Sequence, residues 1–247
     1  MQHKLGRKPR GYNPSVPHMS ALMGGRQLPP APIKTDYTAN MPDDFGVMEN
    51  DRLGDCTCAA YFHARQIWSF NAQGVEKTES DLTVLSLYEK ACGYDPANPD
   101  SDQGGVEQDV LTYLLKNGAP GCQPILGFIE VDARNLDDMK RAIYETGCIY
   151  IGLNLPESAL SGDVWSVQDG DAIAGGHAVI LCGYDLDGFD LISWGRKYRC
   201  TNGFLAQYCE EAYAIADREW IRNTGSTPLG LSIMQLSELM KALKNDN

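Results

Sequence analysis

Residues 50–60 have the sequence Asn50-Asp51-Arg52-Leu53-Gly54-Asp55-Cys56-Thr57-Cys58-Ala59-Ala60. The first six residues are typical of a turn, and the small and apolar residues after them predict a helix from Thr57 to about Asn71. Cys56 therefore lies at a helix N-terminus, where unpaired backbone N–H groups and the helix dipole stabilise a thiolate. Such a thiolate is a nucleophile. The alternative is a buried structural cysteine that happens to begin a helix.

A second stretch favours the nucleophile. It has the sequence Gly175-Gly176-His177-Ala178-Val179-Ile180-Leu181-Cys182-Gly183-Tyr184. Its glycines allow another backbone to approach closely, and His177 opens an apolar run that predicts a buried strand. A cysteine followed far downstream by a histidine is the chain order of one class of cysteine nucleophile. His177 is therefore the candidate partner of Cys56.

Together, these stretches resemble the papain-like cysteine peptidase family. Residues 53–57 are similar to the family's nucleophile turn, in the variant common to bacterial and phage members, and residues 176–184 are similar to its histidine strand. Further segments resemble the family's second helix, glycine-rich wall, following turn and third catalytic segment: Leu85–Tyr88, Asp102–Gly105, Ala119-Pro120, Ser193–Gly195 and Asn202–Phe204. The resemblance covers residues 47 to 215.

The resemblance implies an α+β, papain-like fold of two lobes. Residues 47–120 are expected to form a helical lobe with the nucleophile helix at its centre, and residues 121–225 an antiparallel, barrel-like β lobe. Prolines spread through residues 1–46 predict an extended, basic N-terminal arm. Residues 226–247 include an amphipathic stretch, Ser232 to Lys244, that predicts a C-terminal helix.

The resemblance also assigns catalytic roles. Cys56 attacks an amide carbonyl and forms a thioester, while His177 acts as base and then as acid. Asn50 stands six residues before the nucleophile, where the family has a glutamine that donates to the oxyanion; asparagine keeps the amide but is one methylene shorter. Ile192 stands where the family has the asparagine that orients the histidine, which leaves Ser193 as the candidate orienting residue.

Three residues are candidates for substrate binding. Gly104 and Gly105 correspond to the family's glycine-rich wall. Trp194 is expected either to shield the histidine from water or to be an ordinary core aromatic residue.

Other polar residues near the nucleophile have simpler interpretations. Asp55 is expected to cap the helix, although its charge also opposes a thiolate. Cys58 is expected to be structural and His63 a satisfied helix histidine. His63 lies two helical turns from Cys56, about 10 Å along the axis, which is too far for shared metal ligation. We therefore expect no metal and no cofactor.

The charge of the chain is unevenly distributed. Its net charge is −12, yet residues 1–34 carry six basic residues and no acidic one, leaving 15 of the 21 basic and all 33 acidic residues elsewhere. The acidic body argues against nucleic acid as its partner, whereas the arm is able to contact nucleic acid, an acidic neighbour or its own domain.

Hydropathy and the N-terminus give expectations about location. No apolar run approaches the roughly 20 residues of a membrane span, and the first residues lack the apolar core of a signal peptide. We expect synthesis in the cytoplasm, reduced cysteines and no membrane partner.

Two functions remain open at the level of sequence. One is a papain-like cysteine peptidase or amidase acting on a peptide or protein substrate. The other is a catalytically weak or inactive papain-fold phage virion or assembly protein, a decoration or structural subunit that contacts neighbouring subunits through residues 1–46. Retention of Cys56 and His177 favours the enzyme, whereas the lost asparagine and the basic arm favour the virion protein.

Overall fold

A computed structural model describes residues 3–11, 13, 16–19, 31–221 and 225 of the 247-residue chain. The C-terminal helix predicted at 232–244 lies outside the described residues. Within the described ranges, no helix is both long enough and apolar enough to cross a membrane.

The first half of the body is helical. Its three helices are α1 (Cys56–Gln73), α2 (Asp81–Cys92) and α3 (Glu107–Asn117). The sequence offers Ser80 or Asp81 as the cap of α2, and Ser80 is the cap, since its side chain accepts a hydrogen bond from the Thr83 amide. The helix predicted from Thr57 to about Asn71 is confirmed within two residues.

Helix α1 is the centre of this half. Every residue from Cys56 to Ser69 is buried. A helix that is enclosed on all sides needs small residues where neighbours approach closely, and Ala59, Ala60 and Ala64 supply them. The buried Arg65 of α1 is paired with two carboxylates: it donates to Glu79 at 2.8 Å and to Glu219 at 3.0 Å. The nucleophile helix is thus held rigidly in the core.

The second half is built on one eight-stranded sheet. Its strands are β1 (Thr35–Asp36), β2 (Gly127–Val131), β3 (Ile149–Pro156), β4 (Val164–Trp165), β5 (Ile173–Tyr184), β6 (Gly188–Ser193), β7 (Arg196–Thr201) and β8 (Cys209–Ala216). They follow the order β2-β8-β3-β5-β6-β7-β4, and β1 pairs with β5. The predicted α+β class is confirmed. One detail differs from the prediction: the sheet was expected to be antiparallel, but β4 and β7 pair in parallel.

The sheet separates two hydrophobic cores. Ala178, Ile180 and Cys182 of β5 face the core of α1, whereas Val179 and Leu181 face the core on the other side. This alternation follows from the period of two along a strand. The second core also contains residues of the helix α4 (Leu136–Thr146). By the same alternation, His177 shares the strand face of Val179 and Leu181, while its neighbour Ala178 faces the core of α1.

The sequence of residues 204–215 is compatible with helix or strand, and the structure contains both. A short helix α5 (Asn202–Tyr208) begins at the Thr201 cap and leads directly into β8. Glu210 and Glu211 favour helix locally, but pairing of β8 with β2 and β3 places them in a strand. Long-range pairing here overrides local propensity.

The described part of the arm lies on its own domain. Thr35–Asp36 pairs with the end of β5, and Arg7 forms a parallel bridge with Gly105. Val16 and Phe45 are buried in the core that contains α1. Of the partners that the sequence left open for this segment, its own domain is the one contacted here.

Candidate active site

Cys56 is the first residue of α1 and is 1% exposed. Its own N–H group is therefore one of the helix N-terminal donors that have no intrahelical acceptor. The backbone amides of Ala178 and Gly6 both face its sulfur and favour the thiolate, but burial dominates and raises the pKa of Cys56 to about 12. In this arrangement the sulfur is a neutral thiol at physiological pH.

Asp55 does not cap the helix with its side chain. It occupies the N-cap position, but its carboxylate makes no capping hydrogen bond. The side chain is buried, accepts a hydrogen bond from Asn50 at 3.1 Å, and burial raises its pKa well above the usual range. The capping prediction was therefore wrong, because the carboxyl group is turned into the core beneath the nucleophile turn. After burial, the charge of Asp55 is a further cause of the raised pKa of Cys56.

Asn50 is directed differently from its expected role as an oxyanion donor. Its side-chain amide donates to the Leu53 carbonyl at 3.2 Å and to Asp55 at 3.1 Å. Both amide hydrogens are thus used inside the nucleophile turn. The turn is also strained, because Met48 and Glu49 have φ values of 57° and 67°. We assign the Asn50 amide to holding this turn in place.

His177 lies on β5 and is held from two directions. Its Nε2 atom is 2.7 Å from the Ser193 hydroxyl, and its ring stacks on Trp194 with centroids 4.5 Å apart. Its Nδ1 atom is buried and has no hydrogen-bond partner among the described residues. Burial lowers the pKa of His177 to about 3, so the imidazole is neutral. Ile192, at the place of the expected asparagine, is a fully buried core residue.

The sequence predicts a strand from Phe189 to Trp194, but in the structure Trp194 occupies a turn after the strand. Ser193 pairs with Arg196 across the β6–β7 hairpin, which leaves Trp194 and Gly195 as the two loop residues. Their φ values are 47° and 77°, as a two-residue hairpin turn of this hand requires. The turn brings the indole back over His177. Trp194 therefore shields the imidazole and also packs in the second core.

The arm lies across the groove between the two halves. Gly105 donates to the Gly6 carbonyl at 2.9 Å, Lys8 donates to the Gly105 carbonyl at 2.8 Å, and Arg7 donates to the Gly176 carbonyl at 3.0 Å. A side chain at Gly6 would collide with the Gly54 carbonyl, and one at Gly104 would collide with the Gly6 carbonyl. Gly104 and Gly105 thus contact a peptide here, and that peptide is the chain's own.

The arm is not placed as a substrate for Cys56 at Gly6. The Gly6 amide faces the sulfur, whereas the Gly6 carbonyl accepts a hydrogen bond from Gly105. On one side of Gly6, His3 stacks on Trp194 at 4.0 Å and Lys4 pairs with Asp102. The arm therefore covers the nucleophile without presenting this carbonyl carbon to it.

A hydrogen-bond chain joins the glycine wall to the nucleophile turn. The Tyr88 hydroxyl accepts from the Gly104 amide at 2.9 Å and donates to Asp102 at 2.6 Å. The same Asp102 oxygen accepts from the Gly54 amide at 3.0 Å. Asp102 and Tyr88 thereby fix the width of the groove between residues 54 and 104.

The other polar candidates are accounted for by the core. His63 is buried, with Nε2 2.9 Å from the Gly46 carbonyl, and burial lowers its pKa to about 4. The prediction of a satisfied helix histidine is confirmed. Cys58 is fully buried beside the thiol of Cys92.

Known proteins of the same fold are found by structure and not by sequence. No protein-family model matches the chain, and no curated protein is similar to it in sequence. Xylellain, a cysteine protease from Xylella fastidiosa, superposes with a TM-score of 0.65 at 17% identity, over 87% of this chain and 97% of that one. The bromelain protease from Ananas comosus, in complex with the E64 inhibitor, superposes with a TM-score of 0.57 at 15% identity, over 76% and 100%. Digestive procathepsin L 3 of Tenebrio molitor larval midgut gives 0.58 at 14% identity, over 77% and 71%.

This chain has the papain-like fold. Within the papain-like fold, the departure at Ile192 leaves the histidine with a serine hydroxyl in place of the expected amide. The sequence resemblance had singled out Ser193, Trp194 and the two glycines of the wall, and the structure places all four around the same groove.

Sequence reasoning missed two acidic residues at this papain-like groove. Glu107 and Glu211 are both buried, at 0% and 1% exposure; Arg7 of the arm pairs with Glu211, and the charge of Glu107 also acts on Arg7. A signal for Glu211 exists, because it shares a strand face with Tyr213 and Ile215. Glu107, at the first position of a helix, looks like an ordinary helix-dipole partner. Only the fold shows that it is buried.

Proposed function

We propose that this chain is a cysteine peptidase or amidase that cleaves amide bonds through a thioester on Cys56. The observation that carries the proposal is the His177–Ser193 pair, with 2.7 Å between Nε2 and the hydroxyl oxygen, on the strand whose next amide faces the Cys56 sulfur. A serine hydroxyl accepts a hydrogen bond from an imidazolium N–H, so the missing asparagine does not remove the orienting contact.

The chemistry follows from these groups. The Nδ1 atom that Ser193 leaves free takes the proton of Cys56, and the sulfur attacks the amide carbonyl carbon. The Cys56 N–H at the helix terminus is one donor for the oxyanion. Collapse breaks the C–N bond, and the His177 proton leaves with the amine. Water then attacks the thioester, which releases a carboxylic acid and restores the thiol.

With the arm in the groove, this reaction does not start. Burial raises the pKa of Cys56 to about 12 and lowers the pKa of His177 to about 3, so the proton stays on sulfur. Removal of the arm hydrates both groups, which brings the two pKa values toward each other and favours the thiolate–imidazolium pair. The covered form is therefore expected to be latent.

The experiment displaces the arm by a single methyl group. Gly6→Ala places a Cβ against the Gly54 carbonyl, whereas at Gly11 the same change meets nothing within 4 Å. In full-length protein we expect Gly6→Ala to label at Cys56 with iodoacetamide at pH 7.5 at least about tenfold faster than wild type, and Gly11→Ala to match wild type. Peptide mapping by mass spectrometry locates the label.

Activity is then measured on internally quenched peptides. Gly6→Ala should cleave them, and addition of Cys56→Ala or His177→Ala should abolish cleavage. If Cys56 in Gly6→Ala reacts no faster than the other cysteines, and His177→Ala does not slow it, the peptidase proposal fails. That result would favour the inactive virion or assembly protein.

A further inference from the structure

Arg7 fills a closed pocket beside the nucleophile. It directly follows Gly6, whose amide faces the Cys56 sulfur, and its own backbone is fixed by the Gly176 carbonyl. Its side chain is 3% exposed, although it belongs to an otherwise extended arm. Burial of a guanidinium is costly unless it is paired, so the pocket must provide charge.

Glu211 provides the direct contact. Its Oε1 atom accepts from Arg7 Nε at 2.8 Å and also from a terminal guanidinium nitrogen. Its other oxygen accepts from the Tyr213 hydroxyl at 2.7 Å and lies 3.9 Å from Arg10 Nε. Arg10 is partly exposed and binds mainly to Glu130, at 2.5 and 2.6 Å. Glu211 is thus oriented by the body for a guanidinium in the pocket.

Glu107 is a second carboxylate facing the same cation. It is fully buried, and neither of its oxygens has a hydrogen-bond partner among the described residues. The charge of Arg7 favours its ionised form, while burial and Glu211 raise its pKa well above the usual range. The charges of Arg7 and Arg10 both act on Glu107, but neither of them hydrogen-bonds to it, so the pocket contains one more buried carboxyl group than the arm pairs directly.

The pocket exists because position 152 is glycine. A Cβ at Gly152 would collide with Arg7 Nε and would lie 2.8 Å from Glu211 Cγ. Gly105 and Gly176 open the adjoining wall to a peptide backbone. The body, not the arm, therefore supplies all three features of the pocket. These are the space for a long side chain, the backbone hydrogen-bond partners for a peptide and the buried carboxyl groups at the far end.

We infer that the pocket of Glu107, Glu211 and Gly152 binds an arginine or lysine side chain of the substrate next to the cleaved bond, and that Arg7 occupies it in the latent chain. The inference rests on the proposed function and names its substrate class. When the arm leaves, two buried carboxyl groups remain without their cation, and a basic side chain of an incoming peptide restores it.

The test compares arginine with citrulline, its neutral isostere. Internally quenched octapeptides carry arginine, citrulline or leucine at each position around the cleaved bond, and full-length Gly6→Ala is the enzyme. At one position, kcat/KM should be at least about tenfold higher for arginine than for citrulline, the size of a charge-assisted hydrogen bond. Glu107→Gln and Glu211→Gln should reduce that ratio, whereas Glu210→Gln, on an exposed neighbour, should preserve it.

Binding gives a readout that does not need catalysis. A fluorescein-labelled peptide with the sequence of residues 3–10 is titrated into full-length protein carrying Gly6→Ala and Cys56→Ala, and fluorescence anisotropy gives Kd. Citrulline in place of the arginine at the position of Arg7 should raise Kd at least about tenfold. This comparison changes only the ligand, so it does not depend on the folding of the Glu107→Gln and Glu211→Gln variants.

The two proposals fail in different ways. Arginine-selective binding without cleavage by Gly6→Ala overturns the peptidase and keeps the pocket. Cleavage or binding that is equal for arginine and citrulline at every position overturns the pocket and leaves the peptidase in place. The pocket proposal is also overturned if the Glu107→Gln, Glu211→Gln double variant still prefers arginine to citrulline.

Discussion

Ser193 orients the imidazole of His177, because its hydroxyl is the only hydrogen-bond partner that His177 has among the described residues. Its hydroxyl both donates and accepts, so it holds the imidazole in either protonation state. Trp194 restricts the same ring by stacking, through a turn that places a tryptophan at φ 47°. Ser193 and Trp194 follow Ile192 by one and two residues. Together they hold the imidazole in place of the asparagine that was expected at position 192.

Substitution of Ser193 tests this role. In the Gly6→Ala background we expect Ser193→Ala to lower kcat on the order of 10²-fold with little change in KM, because the substrate contacts remain and the orientation of the base is lost. Ser193→Thr keeps the hydroxyl and should recover most of kcat. The readouts are kcat and KM on one quenched peptide; an unchanged kcat in Ser193→Ala would show that stacking alone orients the ring.

At the scale of elements, the groove is the space between α2–α3 and the part of the sheet formed by β5 and the β6–β7 hairpin. Tyr88 of α2 holds its helical side by hydrogen bonds to Asp102 and to the Gly104 amide. On the opposite side, the β6–β7 hairpin and β5 carry Trp194 and His177. Residue 107 begins α3 and residue 211 lies in β8, so the acidic pocket is also formed between a helix and a strand.

Tyr88→Phe removes the hydroxyl that joins α2 to the glycine wall. Both hydrogen bonds are lost and Asp102 loses one donor, so we expect the free energy of unfolding to fall by about 1–3 kcal/mol. Urea unfolding followed by circular dichroism measures it. Tyr94→Phe is the matched control, because that ring stacks on Tyr88 at 5.0 Å but lies outside the hydrogen-bond chain. Equal effects of the two changes would contradict the assignment.

At the scale of the whole molecule, the basic arm and the acidic body are electrostatic partners. Lys4 pairs with Asp102, Arg7 with Glu211 and Arg10 with Glu130. The unequal charge seen in the sequence is therefore used within the chain itself. Beneath the arm, Cys56 and His177 are both buried, and burial raises the pKa of Cys56 to about 12 and lowers the pKa of His177 to about 3.

Burial of histidines also makes the stability of the molecule depend on pH. His63 has a pKa of about 4 in the folded chain, below its usual value of 6.5. Between these values the unfolded chain binds a proton that the folded chain does not, so stability present above pH 6.5 is lost as the pH falls toward 4. The loss from this residue is about 3 kcal/mol.

His63→Gln should flatten this dependence. We expect the free energy of unfolding by urea, measured from pH 7 to pH 4.5, to fall less steeply in His63→Gln than in wild type, because a glutamine does not titrate. Identical slopes for His63→Gln and wild type would rule out this contribution.

Local sequence signals predicted much of the fold. The turn before Cys56, the cap at Ser80 and the apolar run after His177 each act within a few residues, and the elements they predict are present. Strands β2 and β7 and the division of residues 202–216 into α5 and β8 were not predicted, because they depend on pairing with distant strands.

The sequence by itself determined which residues are able to do the chemistry: a cysteine at a helix N-terminus, a histidine at the head of a buried strand, and a serine and a tryptophan in the segment after it. Only the tertiary structure decided how they are used. It turned the amide of Asn50 and the carboxyl group of Asp55 into the nucleophile turn, set Ser193 against His177, and brought Arg7 between two glutamates that are 104 positions apart in the chain. The reason is physical: capping and helix dipoles act between neighbours in sequence, whereas burial and ion pairing depend on which distant surfaces the fold presses together.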